Sequence, residues 1–382
     1  KIWITINYFM LGCIFYYFPI ILSIMTFPDL KKPKSPNFSS GPTKKPDEWS
    51  VNDLNTSFFG RYHRSNDVKK FINDVLNKLK NILNIPKNYK VLLFPGSCSG
   101  AMEAVIWSFL GNKIVTALIF DYWGVSWYED LLKLNLKVDL RKNLEGDLPD
   151  LNNIPKNNDI IFVWTGTSTG MTINNIDFIK SSHDGLVISD VTSAAFIEDL
   201  PWEKIDISVF SWQKALGSES QHGIIVMSPK AMERLKKRNK LPKVLSIYDH
   251  DFLVNTPSLL SISDFDLCLE IFKKKGGLKF SKKTCIKNRI ILEEWAKENK
   301  FISFFCKKKK YRAFTPCFFI FKKELKHKQM FSFLGKEKIA FDIANYRKAK
   351  SGIRIWNGSN IKKNDLIALT NWLDWSFNYF RL

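Results

Sequence analysis

From about residue 66 onward, apolar positions along the chain switch between two kinds of spacing. In residues 67–83, Val68, Phe71, Ile72, Val75, Leu76 and Leu79 recur every three or four positions, which predicts an amphipathic helix. Residues 91–94 form a short apolar run, read as a buried strand, and residues 101–110 read as a helix. Five further strand-like runs follow at 114–120, 160–164, 186–189, 207–210 and 223–227. Periodicity alone does not separate strand from helix in runs this short, so their length and flanking turn residues assign them. The alternation predicts an α/β protein with a mainly parallel, doubly wound sheet.

Beyond about residue 260 the pattern changes. Helical spacing at 262–272 and 282–299 precedes strand-like pieces at 317–321 and 353–356, then a last helix at 363–377. This predicts a smaller α+β domain, giving a division into residues 1–30, 31–260 and 261–382. The first of these is an apolar segment. Residues 2–27 carry no charge and are long enough to span a bilayer, which reads as an anchor or signal sequence. Pro19 interrupts the run, and the remainder reads as a soluble enzyme. The favoured expectation is therefore translation from Met25, with residues 1–24 an extension of the reading frame and no membrane attachment.

Composition narrows the classes. A hydrophobic fraction of 45% and a charged fraction of 25% suit a globular chain and argue against wholesale disorder. The net charge of +21 invites a nucleic-acid reading. The only dense lysine clusters, 273–275 and 307–310, come with no zinc-finger spacing and no aromatic-basic RNA motif, so a solvated basic surface is the preferred reading. The six cysteines are scattered without a C-x-x-C pair, which argues against a disulfide framework or zinc site and for a reducing, cytoplasmic setting.

Three loops that follow strand-like runs carry the candidate chemistry, because open parallel sheets bind ligands at the carboxyl ends of their strands. Phe94-Pro-Gly-Ser-Cys-Ser-Gly-Ala-Met102 joins strand to helix and is either a phosphate-binding turn or an ordinary one. Asp190 closes the run 187–189; such a carboxylate is a turn residue, or it holds the nitrogen of a pyridine ring protonated. Lys214 follows the run ending at Phe210, and is a surface lysine or a Schiff-base lysine whose amine is kept neutral by burial. A strand-ending carboxylate followed about two dozen residues later by Ser-x-x-Lys is the layout expected for pyridoxal phosphate in a doubly wound sheet.

At these residues the chain resembles the phosphoserine aminotransferases, class V aminotransferases of fold type I, in the branch found in alphaproteobacteria and some methanogens. The resemblance runs from about Lys32 to the C-terminus. It rests on Asn37-Phe-Ser-Ser-Gly-Pro-Thr43, Gly60-Arg-Tyr-His-Arg64, Asp190-Val-Thr-Ser-Ala-Ala-Phe196, Asp199-Leu-Pro-Trp202, Phe210-Ser-Trp-Gln-Lys-Ala-Leu-Gly217, Asn255-Thr-Pro257 and Gly352-Ile-Arg-Ile-Trp356. It implies pyridoxal 5′-phosphate as cofactor, and 3-phosphohydroxypyruvate and L-glutamate as substrates in serine biosynthesis. A second place in pyridoxine biosynthesis stays open.

The resemblance also implies roles. Lys214 matches the Schiff-base lysine, Asp190 the partner of the pyridine nitrogen, Trp123 the ring stacked on the cofactor, and Thr167 a neighbouring hydrogen-bonding residue. Cys98, Ser99 and Gln213 match the phosphate site, which Asn255 and Thr256 reach from a second subunit, so a homodimer with shared sites is implied. His63 and Arg64 match a substrate-phosphate site across the same interface. Arg354 matches the clamp on the substrate carboxylate, assisted by Arg347, and Ser39 belongs with the substrate residues. Trp164 is left to the core. Three departures from the family pattern stand out: Thr165 replaces the Asn of a Trp-Asn-Gly motif, the 241–255 segment is short, and the stretch from Lys307 is irregular. Another class V transaminase, such as an alanine–glyoxylate enzyme, is the nearest alternative. A basic membrane-tethered binding protein is the alternative from another class.

Overall fold

The computed structural model describes residues 28–236, 241–248 and 255–382. The expected start at Met25 and the apolar segment before it lie outside the described residues, as do residues 249–254 of the short segment. Among the described residues, no helix is long and apolar enough to cross a membrane.

In chain order the elements are α1 (Asn66–Ile82), β1 (Lys90–Pro95), α2 (Ser97–Phe109), β2 (Val115–Ile119), α3 (Tyr122–Lys133), β3 (Val138–Lys142) and β4 (Asp159–Val163). The short strands β5 (Thr165–Gly166) and β6 (Met171–Thr172) form a hairpin. Next come β7 (Val187–Asp190), β8 (Ile207–Phe210), β9 (His222–Met227), α4 (Pro229–Arg234), α5 (Leu259–Lys274) and α6 (Gly277–Glu298). The chain closes with β10 (Ile302–Phe304), β11 (Cys317–Phe321), α7 (His327–Lys336), β12 (Gly352–Ile355) and α8 (Lys363–Tyr379).

Seven strands form the central sheet in the order β1-β9-β8-β7-β4-β2-β3. Strand β9 runs antiparallel to both of its neighbours, and the others are parallel to one another. Successive side chains alternate between the two faces. Leu92, Phe94, Ile161, Val163, Ile188, Val209 and Ile225 pack into one apolar cluster with α2 and α3. Leu93, Ile160, Phe162, Val187, Phe210, Ile224 and Val226 pack into the other, with α1 and α5. Burial on both faces is why these strands read as unbroken apolar runs. The six apolar residues of α1 named above are all buried in the second cluster, each contributing roughly 1.5–3 kcal/mol relative to exposure. A second, three-stranded antiparallel sheet, β10-β11-β12, packs on the same cluster through Phe319, Ile353 and Ile355.

Three helices begin three or more residues earlier than their apolar pattern predicts: α5 by three, at Leu259, and α2 and α6 by more. Helix α2 starts at Ser97, directly after Gly96 in the left-handed region, so Cys98 and Ser99 belong to its first turn. Helix α6 starts at Gly277, after a left-handed Gly276 that ends α5. The pattern missed α3, which buries only Gly124, Trp127 and Leu131, and the half-exposed edge strand β3.

Candidate active site

The carboxyl ends of β1, β2, β4, β7 and β8 open on one edge of the sheet, and a cavity of about 190 Å³ lies there. Cys98, Ser99, Trp123, Thr167, Asp190, Gln213 and Lys214 all line it, so seven residues singled out from the sequence meet at one place. Trp127, Thr165, Thr192 and Ser193 complete much of the wall.

Asp190 is the last residue of β7, in register with Val163 of β4 and Val209 of β8. The chain turns back at once, so its carboxylate accepts from Thr192 N at 3.0 Å and Thr192 Oγ1 at 2.6 Å. Trp127 Nε1 donates to its other oxygen at 3.3 Å. These donors fix the carboxylate and leave it on the cavity wall.

Lys214 is 8% exposed and forms no salt bridge among the described residues. Its amine donates to Ser40 O at 2.5 Å and to Thr167 Oγ1 at 3.4 Å. Burial, reinforced by the charge of Arg354, lowers its pKa from the ordinary lysine value to about 8. The lysine arrives here because the loop after β8 is pinned from several sides. Thr43 N donates to Gln213 O at 3.0 Å, and Thr43 Oγ1 donates to Lys214 O. Asn360 Nδ2 donates to Ala215 O at 3.4 Å and Leu216 O at 3.3 Å. Gly41 crosses directly over the amine: a Cβ there would stand 2.8 Å from Lys214 Nζ, and its φ of +147° disfavours any side chain.

The remaining wall is aromatic and polar. Trp123 leans toward Trp127 and Tyr346, with ring centroids 6.1 and 5.8 Å away. Thr167 and Ser193 share a hydrogen bond between their hydroxyls. In the first turn of α2, Ser97 N donates to Gln221 O at 3.2 Å and Gly100 N to Gly96 O at 2.9 Å. This leaves the N–H groups of Cys98 and Ser99 without a backbone acceptor among the described residues, at the positive end of the helix dipole. Cys98, buried beside Asp190, has its thiol pushed well above the usual range by burial and then by that charge. It is thus a neutral wall residue and not a nucleophile.

Arg354 is placed beside the cavity and not in its lining. Its Nη1 donates to Thr167 O at 3.4 Å, its guanidinium lies 5.8 Å from the Tyr346 ring, and burial lowers its pKa. Ser39 is one residue from the Lys214 acceptor, with its Oγ taking the N–H of Gly41 at 3.3 Å. Among the described residues, His63, Arg64, Arg347, Asn255 and Thr256 do not line the cavity. His63 is buried with Nε2 unpartnered, and Arg64 and Arg347 are exposed. Trp164 is a core residue whose Nε1 donates to buried Glu198 at 3.1 Å. Thr165 donates to the same carboxylate at 2.9 Å, which gives the departure from Asn at this position a partner of its own.

Sequence reading missed Ser40, Trp127, Thr192, Ser193, Tyr346 and Asp121. Asp121 caps α3, a helix that the apolar pattern does not reveal, so its cap position carried no signal. Among the described residues, no group of three or more His, Cys, Asp or Glu side chains could hold a metal ion.

No family model matches the chain. It is 37% identical over 362 residues to the phosphoserine aminotransferase of Methanosarcina mazei, a match covering 91% of this chain and 98% of the relative. The solved phosphoserine aminotransferase of Bacillus circulans subsp. alkalophilus superposes with a TM-score of 0.79 at 17% identity, over 91% of this chain and 99% of that one. A phosphoserine aminotransferase from Trichomonas vaginalis, solved with pyridoxal phosphate bound, gives 0.76 at 16% identity, over 89% of this chain and 99% of that one. The two structures establish the fold, and the sequence match over nearly the full length of both chains goes further: this chain belongs to the phosphoserine aminotransferase family.

Proposed function

We propose that the chain binds pyridoxal 5′-phosphate and moves the amino group of L-glutamate to 3-phosphohydroxypyruvate, releasing 2-oxoglutarate and O-phospho-L-serine. The observation that carries this reading is a buried lysine amine, free of any carboxylate among the described residues, on the same cavity wall as Asp190. The donor set fits the cofactor. Cys98, Ser99 and Gln213 line the cavity at the N-terminus of α2, where backbone N–H groups and the helix dipole favour an anion such as the cofactor phosphate.

When bound, the cofactor supplies an electrophilic aldehyde carbon and an electron-accepting ring. The chain's residues then have distinct tasks. Lys214, with its pKa lowered to about 8, keeps a useful fraction of neutral amine, able to attack a carbonyl and to carry the proton from the donor's α-carbon. Asp190 holds a proton at the ring nitrogen. Trp123 covers one face of the cavity. The backbone of Cys98 and Ser99, with Gln213, receives the cofactor phosphate. Arg354 forks onto the substrate carboxylate, and Arg347 assists with its acidic groups.

His63, Arg64, Asn255 and Thr256 are assigned to a homodimer in which each protomer completes its partner's site; Ser39 stays with the substrate residues of its own chain. The unpartnered buried atoms His63 Nε2 and Asn255 Nδ2 support this arrangement. The chain is further read as a cofactor-binding domain to about residue 260 and a smaller domain after it, working in the cytoplasm. The five cysteines among the described residues are all free thiols, as a reducing compartment favours.

The direct test is a coupled assay with glutamate and 3-phosphohydroxypyruvate on the cofactor-loaded protein. Stoichiometric 2-oxoglutarate and phosphoserine are expected. Turnover of alanine with glyoxylate, and none with the phosphorylated keto acid, would overturn the substrate assignment.

A further inference from the structure

The Lys214 side of the cavity depends on one carboxylate that touches neither substrate nor cofactor in the reading above. Asp121 lies between β2 and α3, has no exposed surface, and forms no salt bridge among the described residues. One of its oxygens accepts from Trp123 N at 2.7 Å, capping α3. The other accepts from Ser168 N at 2.9 Å and from Ser168 Oγ. Ser168 Oγ in turn accepts from Tyr122 N at 2.9 Å, closing a ring of hydrogen bonds. The ring therefore joins two segments distant in sequence: the helix start that carries Trp123, and the β5–β6 turn that carries Thr167.

Two observations show how tightly the turn sits. A Cβ on Gly166 would lie 2.7 Å from Asp121 Cβ and 2.8 Å from Asp121 Oδ2, so the turn's backbone rests directly on this carboxylate. The turn also holds the groups around the lysine: Thr167 Oγ1 takes a bond from Lys214 Nζ at 3.4 Å, and Thr167 O takes one from Arg354 Nη1 at 3.4 Å. Displacing Asp121 would thus move the stacking ring, the lysine's hydroxyl neighbour and the arginine anchor together.

We propose that Asp121 is a positioning residue, a two-oxygen clamp that sets Trp123 on one cavity wall and Thr167 with Arg354 on the other. The inference rests on the cofactor reading for its effect on binding, but not for the clamp itself. Asp121→Asn is an informative change because Asn is also a good N-cap. Its oxygen can keep the bond to Trp123 N, while its NH2 then faces the donating Ser168 N–H, donor against donor.

The test compares wild type with Asp121→Asn, Ser168→Ala and, as a structural comparator, Asp374→Asn. Asp374 is a partly buried carboxylate, accepting from Trp295 Nε1 at 2.9 Å and Asn299 Nδ2 at 2.7 Å, outside the cavity lining. Two readouts are taken. The first is 19F NMR of cofactor-free protein labelled with 5-fluorotryptophan, with Trp123→Phe assigning the resonance. The second is pyridoxal phosphate affinity by titration. The expected result is a shifted or broadened Trp123 resonance and affinity weakened about tenfold in Asp121→Asn, as follows from one mispaired buried donor. Ser168→Ala should move both in the same direction by about threefold in affinity, because it loses only the hydroxyl arm. Asp374→Asn should lower the melting temperature without moving either readout.

An unmoved Trp123 resonance in both Asp121→Asn and Ser168→Ala would overturn the clamp, as would an equal shift in Asp374→Asn. Should Asp121→Asn fail to fold, Ser168→Ala decides by itself. Should wild type bind no pyridoxal phosphate, the cofactor reading fails, and the NMR comparison still decides the clamp.

Discussion

The wall around Lys214 and the group formed by His63, Arg64, Asn255 and Thr256 are built in opposite ways. In the first, contacts within one chain hold the two central groups: Asp190 has three donors, Lys214 has two acceptors, and the flanking loop is pinned by Thr43 and Asn360. In the second, no member lines the cavity, and buried nitrogens of His63 and Asn255 have no partner among the described residues. Buried polar groups in native proteins are nearly always paired, so the second group is the half that needs something more. The comparison teaches that the Lys214–Asp190 pair is held by contacts within one chain, whereas under the proposed function the cofactor phosphate (through Asn255 and Thr256) and the substrate phosphate (through His63 and Arg64) draw on two.

Replacing a residue of the first region should be far more damaging than replacing one of the second. Lys214→Ala should lower turnover by about ten-thousand-fold and remove the visible absorbance of the cofactor-loaded protein, checked by single-turnover kinetics and a spectrum. Arg64→Ala should raise KM for 3-phosphohydroxypyruvate about 10- to 100-fold, as loss of a charge-assisted contact does, and leave the glutamate half-reaction nearly unchanged. An effect on both half-reactions alike would erase the distinction between the two regions.

Mixing sharpens the comparison further. If each site takes Lys214 from one protomer and Arg64 from its partner, a dimer of one Lys214→Ala chain and one Arg64→Ala chain has one intact site, whereas a doubly substituted chain paired with wild type has none. Combining Lys214→Ala chains with Arg64→Ala chains should then restore about one quarter of wild-type activity at low keto-acid concentration, the statistical share of intact sites. No restoration on mixing would place both residues in the same protomer's site.

The smallest effect is on stability. Lys214 has a folded pKa of about 8, below its ordinary value of 10.5. Between those values the unfolded chain binds more protons than the folded one, so stability of the cofactor-free protein rises with pH across that window. Below it, the cost of burying the charge is fully present. A Lys214→Met variant lacks this cost and should melt roughly a few degrees higher than wild type near pH 7, with the gap narrowing toward pH 10.5. Melting curves across that range check it.

How much of this was legible in the sequence follows from what marks each residue. Asp190 and Lys214 were legible because each ends or follows a strand buried on both faces, and such strands leave unbroken apolar runs with sharp ends. The start of α2 was misplaced by four residues because Ser97-Cys-Ser-Gly100 carries no apolar periodicity; the left-handed Gly96 sets that start. Helix α3 was invisible for a similar reason, since only three of its residues are buried. Arg354 lies 187 residues from the Thr167 carbonyl it contacts, and no local pattern encodes that meeting. Family resemblance alone pointed to it. Asp121 caps the same unmarked helix α3, and its second oxygen is used by a turn 47 residues away.

The most direct measurement of the central claim is to load the protein with pyridoxal 5′-phosphate, reduce it with borohydride and map the modified peptide by mass spectrometry. A single pyridoxyl-phosphate adduct on Lys214 is the predicted result. An adduct on another lysine, or none, would contradict the account.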